Sequence, residues 1–458
     1  MQDKNDDQHL VGDEIAMPDL VRAVTDALER DDVAAATSLV EDLKAPDFAD
    51  LIELLDPDER VALIQMLGPA FDFEVFSELD ETVRDQLSEA LPNELLARAV
   101  TELDTDDAAY LLENLEESDK QDILAQIPSS ERQALERNFE YPEETAGRLM
   151  QADFVAVPPF WSVGNVIDHM RESEELPEHF SEIFVVDPSF RVLGSVDLSR
   201  LLRTKREVLI SEIMDKDRHL VLATEGQEEL ARQFQRYDLM SAPVVDANNR
   251  LVGVVTVDDV VEVIQDEAEQ DMKALAGVGD ESLADSVIET VRSRVPWLIV
   301  NLGTAILGSF VIQAFDATIE QMVALAVLMP IVASMGGNAG TQTMTVAVRA
   351  LATNKLGPVN AQRVITREAL VGVVNGLVLS VIIGAVVFLW FGSSKLGAVI
   401  GVAMVVNSIA AALAGILIPL AMDKLDLDPA PASGVFVTTV TDVVGFFAFL
   451  GLASIWLI

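Results

Sequence analysis

The sequence contains no cysteine and only four histidines, His9, His169, His179 and His219, none at zinc-ligand spacing. Disulfides, thiolate catalysis and thiolate metal centres are therefore excluded, in keeping with a reducing compartment. Basic residues are scarce as well: 31 Lys and Arg stand against 76 Asp and Glu, a formal net charge of -45. That balance excludes a nucleic-acid partner, because a phosphate backbone demands a basic face. No Gly-x-x-x-x-Gly-Lys-Ser/Thr run is present, so nothing points to an ATP-driven pump. The opening residues, MQDKNDDQHL, are polar and no apolar signal-peptide core follows, so the N-terminal part is expected in the cytosol.

What is present is segregated. Half of the 458 residues are hydrophobic and the mean hydropathy is +0.30, values that coexist with so much charge only if apolar and acidic residues occupy different parts of the chain. Residues 296–458 hold seven acids and six bases, leaving 69 acids and 25 bases for residues 1–295. An acidic soluble half precedes a membrane half.

Residues 1–20 lack periodicity and read as a disordered tail. From Leu55 an apolar residue before a helix-start signal recurs every twelve positions, at Leu67, Leu79, Leu91, Leu103, Leu115 and Ile127. N-cap oxygens and first-turn prolines follow these residues, as in Asp56-Pro57-Asp58 and Asp104-Thr105-Asp106. Twelve residues hold one short helix and a turn, which predicts a helical superhelix.

From Leu149 to Ile264 short β-branched runs alternate with helices, and the pattern is duplicated. Phe184–Asp187 and Arg191–Val196 match Pro243–Asp246 and Arg250–Val255 at an offset of 59, with an insertion in the first copy expected around Glu174–His179. These residues resemble tandem cystathionine-β-synthase (CBS) domains, which implies adenine-nucleotide binding. Thr256 and Asp259 occupy the phosphate and ribose positions of that family's pattern, whereas the first copy has Asp197 and Arg200 there, so one nucleotide is expected per pair. The same two residues also suit a helix cap. Val260 to about Arg294 reads as one amphipathic helix with crowded acids on one side, either a solvated face or one screened by divalent cations.

Five apolar stretches follow: Val295–Phe315, Met322–Val348, Leu370–Phe391, Leu396–Met422 and Ala432–Ile458. With a cytosolic N-terminal half, an odd number places the C-terminus outside. Arg349, Lys355, Arg363 and Arg367 then lie on the inner side, as the positive-inside rule requires. The second stretch carries Pro330 and then the small polar run Gly336, Gly337, Asn338, Ala339, Gly340, Thr341, Gln342 and Thr343, expected either to break the helix beside a water-filled path or to pack it tightly. The fifth carries Thr438, Thr441 and Asp442 before Gly445, and a lone carboxylate near the midplane requires an ion or a partner.

The Gly336–Gln342 run, Asp428-Pro429-Ala430 and Thr441-Asp442-Val443-x-Gly445, on five helices behind tandem CBS domains and an acidic helical domain, resemble the MgtE family of bacterial magnesium channels. The expected chain is multidomain: a tail (1–20), an all-α superhelical N-domain (21–140), α/β CBS domains (141–208 and 209–265), a plug-like connecting helix (266–294) and an all-α transmembrane domain of five helices (295–458). The resemblance implies a homodimer in the bacterial inner membrane, with an ion path between protomers and a cytosolic Mg²⁺ sensor. Asp442 matches the family's pore aspartate, with Asn338, Thr438 and Thr441 as its neighbourhood and Gly336, Gly337, Gly340, Gln342 and Gly445 as packing residues. Asp246, Asp258, Asp259, Glu267 and Asp271 are the sensor candidates. Mg²⁺ is expected as both cargo and regulator, with ATP as a modulator and no enzymatic activity. A nucleotide-gated carrier of another metal or solute is the alternative.

Overall fold

The computed structural model describes residues 16–173, 176–177, 179–279, 281–282, 284–353, 355–425 and 427–457. Residues 1–15 of the tail expected over 1–20, residues 174, 175 and 178 of the insertion expected around Glu174–His179, and the terminal Ile458 of the fifth apolar stretch lie outside them. The chain divides into two units, residues 1–266 and 267–458.

In the first unit, the opening helix Met17–Glu29 begins inside the stretch expected to be a tail, because Leu20, Val24 and Ala27 share one face and are buried. The twelve-residue spacing reappears as the short helices Pro57–Leu67, Glu81–Ala90, Asn93–Glu102, Thr105–Leu112, Glu117–Leu124 and Ser129–Asn138. Leu55, Leu67, Leu79, Leu91, Leu115 and Ile127 are all buried at the helix junctions. One repeat departs from this pattern. Gly68, at φ 50, and Pro69 stop the preceding helix, and Phe71 gathers Phe48, Phe73 and Phe76 in edge-on contacts with centroids 5.4, 5.5 and 5.7 Å away.

The CBS duplication is visible strand by strand. Glu182–Val186 pairs antiparallel with Val192–Asp197 and parallel with Ala156–Val157; Ser241–Val245 pairs in the same way with Leu251–Thr256 and Val221–Leu222. Even the register irregularity recurs, after Val185 and after Val244. The copies are joined by buried Glu182, which accepts from Ser241 Oγ at 2.6 Å and pairs with Arg218. Arg148 ties the helical part to the CBS pair: its guanidinium donates to Glu113 at 2.8 Å and lies 4.7 Å from the Phe139 ring centroid. Asn138 Nδ2 also donates to the Arg148 carbonyl at 2.9 Å.

The long amphipathic helix expected from Val260 to Arg294 is two helices. Val257–Leu275 ends in a left-handed turn at Gly277, φ 72, where the Val278 amide donates to the Lys273 carbonyl at 3.0 Å. A second helix starts at Val287 with a capping box between Ser286 and Glu289 and runs on as the first span, so residues 287–294 are its polar first turns. Arg294 folds back on Glu281, with Nε 2.9 Å from the carboxylate.

Among the described residues, five helices of the second unit are long and apolar enough to cross a bilayer: Val287–Ala314, Ala324–Ala352, Ala361–Phe391, Ser394–Asp423 and Pro429–Trp456. The third begins nine residues before the apolar run, so Arg363 and Arg367 stand on its first turns. The fourth is the central helix, packed on the second, third and fifth, with 67% of its apolar window buried. The second runs unbroken through Gly336–Thr343, so the expected break is absent and the glycines serve packing. Inside a bilayer a broken turn would leave carbonyls that lipid cannot satisfy.

Glu113→Ala leaves the Arg148 guanidinium, 7% exposed, without its carboxylate. It is expected to destabilise the soluble unit by about 3 kcal/mol, near the lower end for a broken buried pair. Thermal denaturation of residues 16–275 measures this, and an unchanged midpoint would remove the pair from the account of how the helical part is held.

Candidate ion sites

The membrane site is built on the second and fifth spans. Asp442 lies thirteen residues from Pro429, about 20 Å along a 28-residue helix and so near mid-depth. It is half-buried, its Cβ sits 3.9 Å from where a Cβ on Gly308 of the first span would be, and it makes no hydrogen bond or ion pair among the described residues. Thr438 donates to the Gly434 and Val435 carbonyls and packs toward Gly337. Thr441, expected as an ion ligand, is fully buried, donates to the Thr438 carbonyl at 2.9 Å and packs against Gly340. It supports the helix pair from inside the protomer. Asn338, Thr341, Gln342 and Thr345 form an exposed polar stripe on the second span, spaced to share one side of the helix.

Sequence reasoning missed Asn407. It lies thirteen residues into the fourth span, fully buried, with Nδ2 donating to the Val332 carbonyl at 2.9 Å and Oδ1 without a partner. Its side chain fills the space beside both Gly336 and Gly445, where a Cβ would stand 2.1 and 2.7 Å from Nδ2. The signal was an asparagine in an apolar stretch, read there as an ordinary span.

A second site lies in the soluble unit, where Asp104, Asp106 and Asp107 crowd Asp258, Asp259 and Glu262. Burial pushes Asp107 up to about 7, with Asp259 and Glu262 adding to it. Loss of water, then Asp259, raises Glu262 to about 7, although its outer side stays exposed. Asp259 rises to about 6 through burial and Asp258, against the hydroxyl of Thr256, which donates to it at 2.6 Å. Asp106, 3% exposed, is held well above the carboxylate range by burial and by Asp259, and its Oδ1 has no partner. Among the described residues no three His, Asp or Glu side chains are arranged to hold a metal ion, so these acids crowd one another without forming a finished cage.

Of the sensor candidates, Asp258 and Asp259 therefore fall in this cluster. Asp246 does not: it accepts from the Asn248 and Arg250 amides at 2.7 and 2.9 Å, bonds that hold it below the ordinary carboxylate range as a turn cap. Asp271 belongs to the second unit, where burial and Asp428 raise it against Arg349, 4.0 Å away. Glu267 stands on the same helix in that unit. Thr256 and Asp259 are engaged as the expected helix cap. Asp104 and Asp106 were read only as helix-start residues and Asp107 was passed over, yet three acids in four positions exceed what one N-terminus needs.

Because Asp107, Asp259 and Glu262 have folded pKa values above their unfolded ones, their contribution to stability is full below about pH 4 and is lost as pH rises through 6 to 7. Without divalent cation, residues 16–275 are expected to melt higher at pH 5.5 than at pH 8. Asp107→Asn should narrow the gap by about 3–6 °C, taking about one pKa unit of relief in a unit of this size. An equal gap in the variant would remove Asp107 as a cause.

Three family profiles match the chain: MgtE, a divalent cation transporter family, at residues 329–452; the MgtE intracellular N domain at 43–144; and the CBS domain at 146–207 and 210–266. The magnesium transporter MgtE of Thermus thermophilus is 33% identical over 447 residues, 96% of this chain and 98% of its own length. That of Enterococcus faecalis is 34% identical over 329 residues, 72% of this chain and 73% of its own. A crystal structure of the cytosolic domain of the Mg²⁺ channel MgtE in complex with ATP is 30% identical, with a TM-score of 0.50, and covers 53% of this chain and 99% of that one. With soluble and membrane parts matched in order and relatives aligned over most of their length, the chain belongs to the MgtE family of magnesium transporters.

Proposed function

We propose that this protein is a passive Mg²⁺ channel of the bacterial inner membrane, opened and closed by Mg²⁺ sensing in its cytosolic helical and CBS domains. As a member of a transporter family it is not an enzyme. The observation that carries the pore reading is Asp442, a carboxylate at mid-depth with no hydrogen-bond or ion-pair partner among the described residues of its protomer. The exposed stripe Asn338, Thr341, Gln342 and Thr345 supports a homodimer, because lipid is a poor neighbour for amides and hydroxyls at that depth. Two copies facing each other bring two Asp442 carboxylates, with Asn338 and Thr438 beside them, around a hydrated ion. Mg²⁺ releases its waters reluctantly, and a water-mediated electrostatic hold lets it enter without being trapped. The C-terminus is outside in this reading, and Arg349, Lys355, Arg363 and Arg367 face the cytosol.

The sensor in this proposal is the cluster of Asp104, Asp106, Asp107, Asp258, Asp259 and Glu262. A divalent cation relieves the repulsion there and draws the helical and CBS parts together, while Asp271 and Glu267 serve the membrane unit. The relative's ATP complex supports a nucleotide as a second regulator, with Thr256 and Asp259 as its contacts on the CBS pair. Binding linkage requires the nucleotide to change Mg²⁺ affinity as Mg²⁺ changes nucleotide affinity.

Two outcomes test these readings. In proteoliposomes loaded with a fluorescent Mg²⁺ indicator, Asp442→Asn is expected to reduce flux at least about tenfold while the protein remains folded, because the field is lost and the shape kept. Normal flux would exclude the ion-site role. In small-angle scattering, residues 16–275 should contract on adding about 10 mM Mg²⁺, enough to fill weak oxygen sites. ATP should shift the midpoint of that contraction, and Asp259→Ala should abolish the shift. A constant radius of gyration would sink the sensor proposal, and an equal ATP shift in the variant would leave Asp259 a cap.

A further inference from the structure

We infer that Asn407 is a positioning residue for the ion site: wedged between Gly336 and Gly445, it sets how the second and fifth spans meet and hence where Asp442 points. The inference rests on the pore reading of Asp442. Asn407, Gly336 and Asp442 lie thirteen, twelve and thirteen residues into their helices, all about 18–20 Å along them. One amide thus stands at mid-bilayer, level with the proposed ion position.

Its surroundings hold it on every side. The Nδ2 bond to the Val332 carbonyl anchors it to the second span one turn before Gly336. Moving away from Gly336 drives the side chain toward Gly445, where an added Cβ would likewise stand under 3.0 Å from it, and the side chain is fully buried. An apolar side chain of similar size would fill this space without an orphaned Oδ1, and a buried acceptor without a partner is destabilising. Retaining the amide costs stability, and the geometry it maintains is the contact between the two helices that carry the polar run and the carboxylate.

Gly445 follows Asp442 by three residues, about one turn, so the two stand on nearly the same side of the fifth span. Any shift of that helix off Asn407 therefore moves Asp442. On the first span the Asp442 Cβ stands 3.9 Å from where a Cβ on Gly308 would be, an ordinary spacing, so the tight restraint on this turn of the fifth span is Asn407 against Gly445. Asn407 itself is fully buried, away from the exposed polar stripe, and acts through Gly445 and Gly336.

The test is a double-mutant cycle on the full-length protein in proteoliposomes, reading the Mg²⁺ concentration for half-maximal flux separately from the maximal rate, with melting in detergent as the folding control. Gly445→Ala should raise the half-maximal concentration about tenfold, since a site displaced by about an ångström loses most of its fit. In an Asn407→Ala background, which vacates the space the new methyl needs, the same substitution should change it less than about twofold. Gly336→Ala, run in both backgrounds, gives a second cycle should Gly445→Ala fail to fold. Equal fold-changes in the two backgrounds, in protein that melts normally, would overturn the inference. Asp442→Asn is measured alongside: if it conducts normally the pore reading fails, whereas additive cycles with a non-conducting Asp442→Asn remove only the role of Asn407.

Discussion

A carboxylate removed from water needs a positive partner or a proton, and this chain has too few bases to supply the first. Two acids of the first unit have a base beside them: Glu113 with Arg148, and Glu182 with Arg218. At two places no acid is ion-paired with a base among the described residues, although Arg84 acts on Asp107 from a distance. One is the crowd of acids from Asp104 to Asp107 and from Asp258 to Glu262; the other is Asp442. In the reading proposed here the missing charge at both is the cargo itself, so one ion answers the same electrostatic need in the sensor and in the pore.

The two places differ in how the surrounding protein frames the deficit. In the soluble unit, water and protons remain available, and the cluster answers with carboxyls pushed up to about 6 and 7, within reach of physiological pH. In the membrane unit lipid offers Asp442 no donor, and among the described residues no helix neighbour donates to it. There the backbone stays fully helical and the glycines are used for approach: Gly336 and Gly445 admit Asn407, and Gly340 admits Val437 and Thr441. Close packing and an ion path are therefore compatible in one helix, since the buried side of the second span holds the glycines and its outer side the amides.

Much of this was legible in order and type. The offset of 59 between the CBS copies recurs down to the bulge, and the twelve-residue spacing marks buried helix junctions, because both rest on local periodicity that a chain displays residue by residue. The helix read through to Arg294 failed for an equally local reason: Gly277 and the Ser286 capping box are stop and start signals that the continuing amphipathic pattern masked.

The sequence by itself determined the three-part architecture, the membrane half, and Asp442 as the charged residue within the apolar stretches, since composition and period are properties of short segments. Only the tertiary structure decided which acids share a site and which of the small and polar residues face one another. Asp104–Asp107 meet Asp259 and Glu262 across more than 150 positions, and Asn407 meets Gly336 and Gly445 from a third helix. Such contacts depend on how helices rotate and cross after they have formed, and no local pattern specifies that rotation.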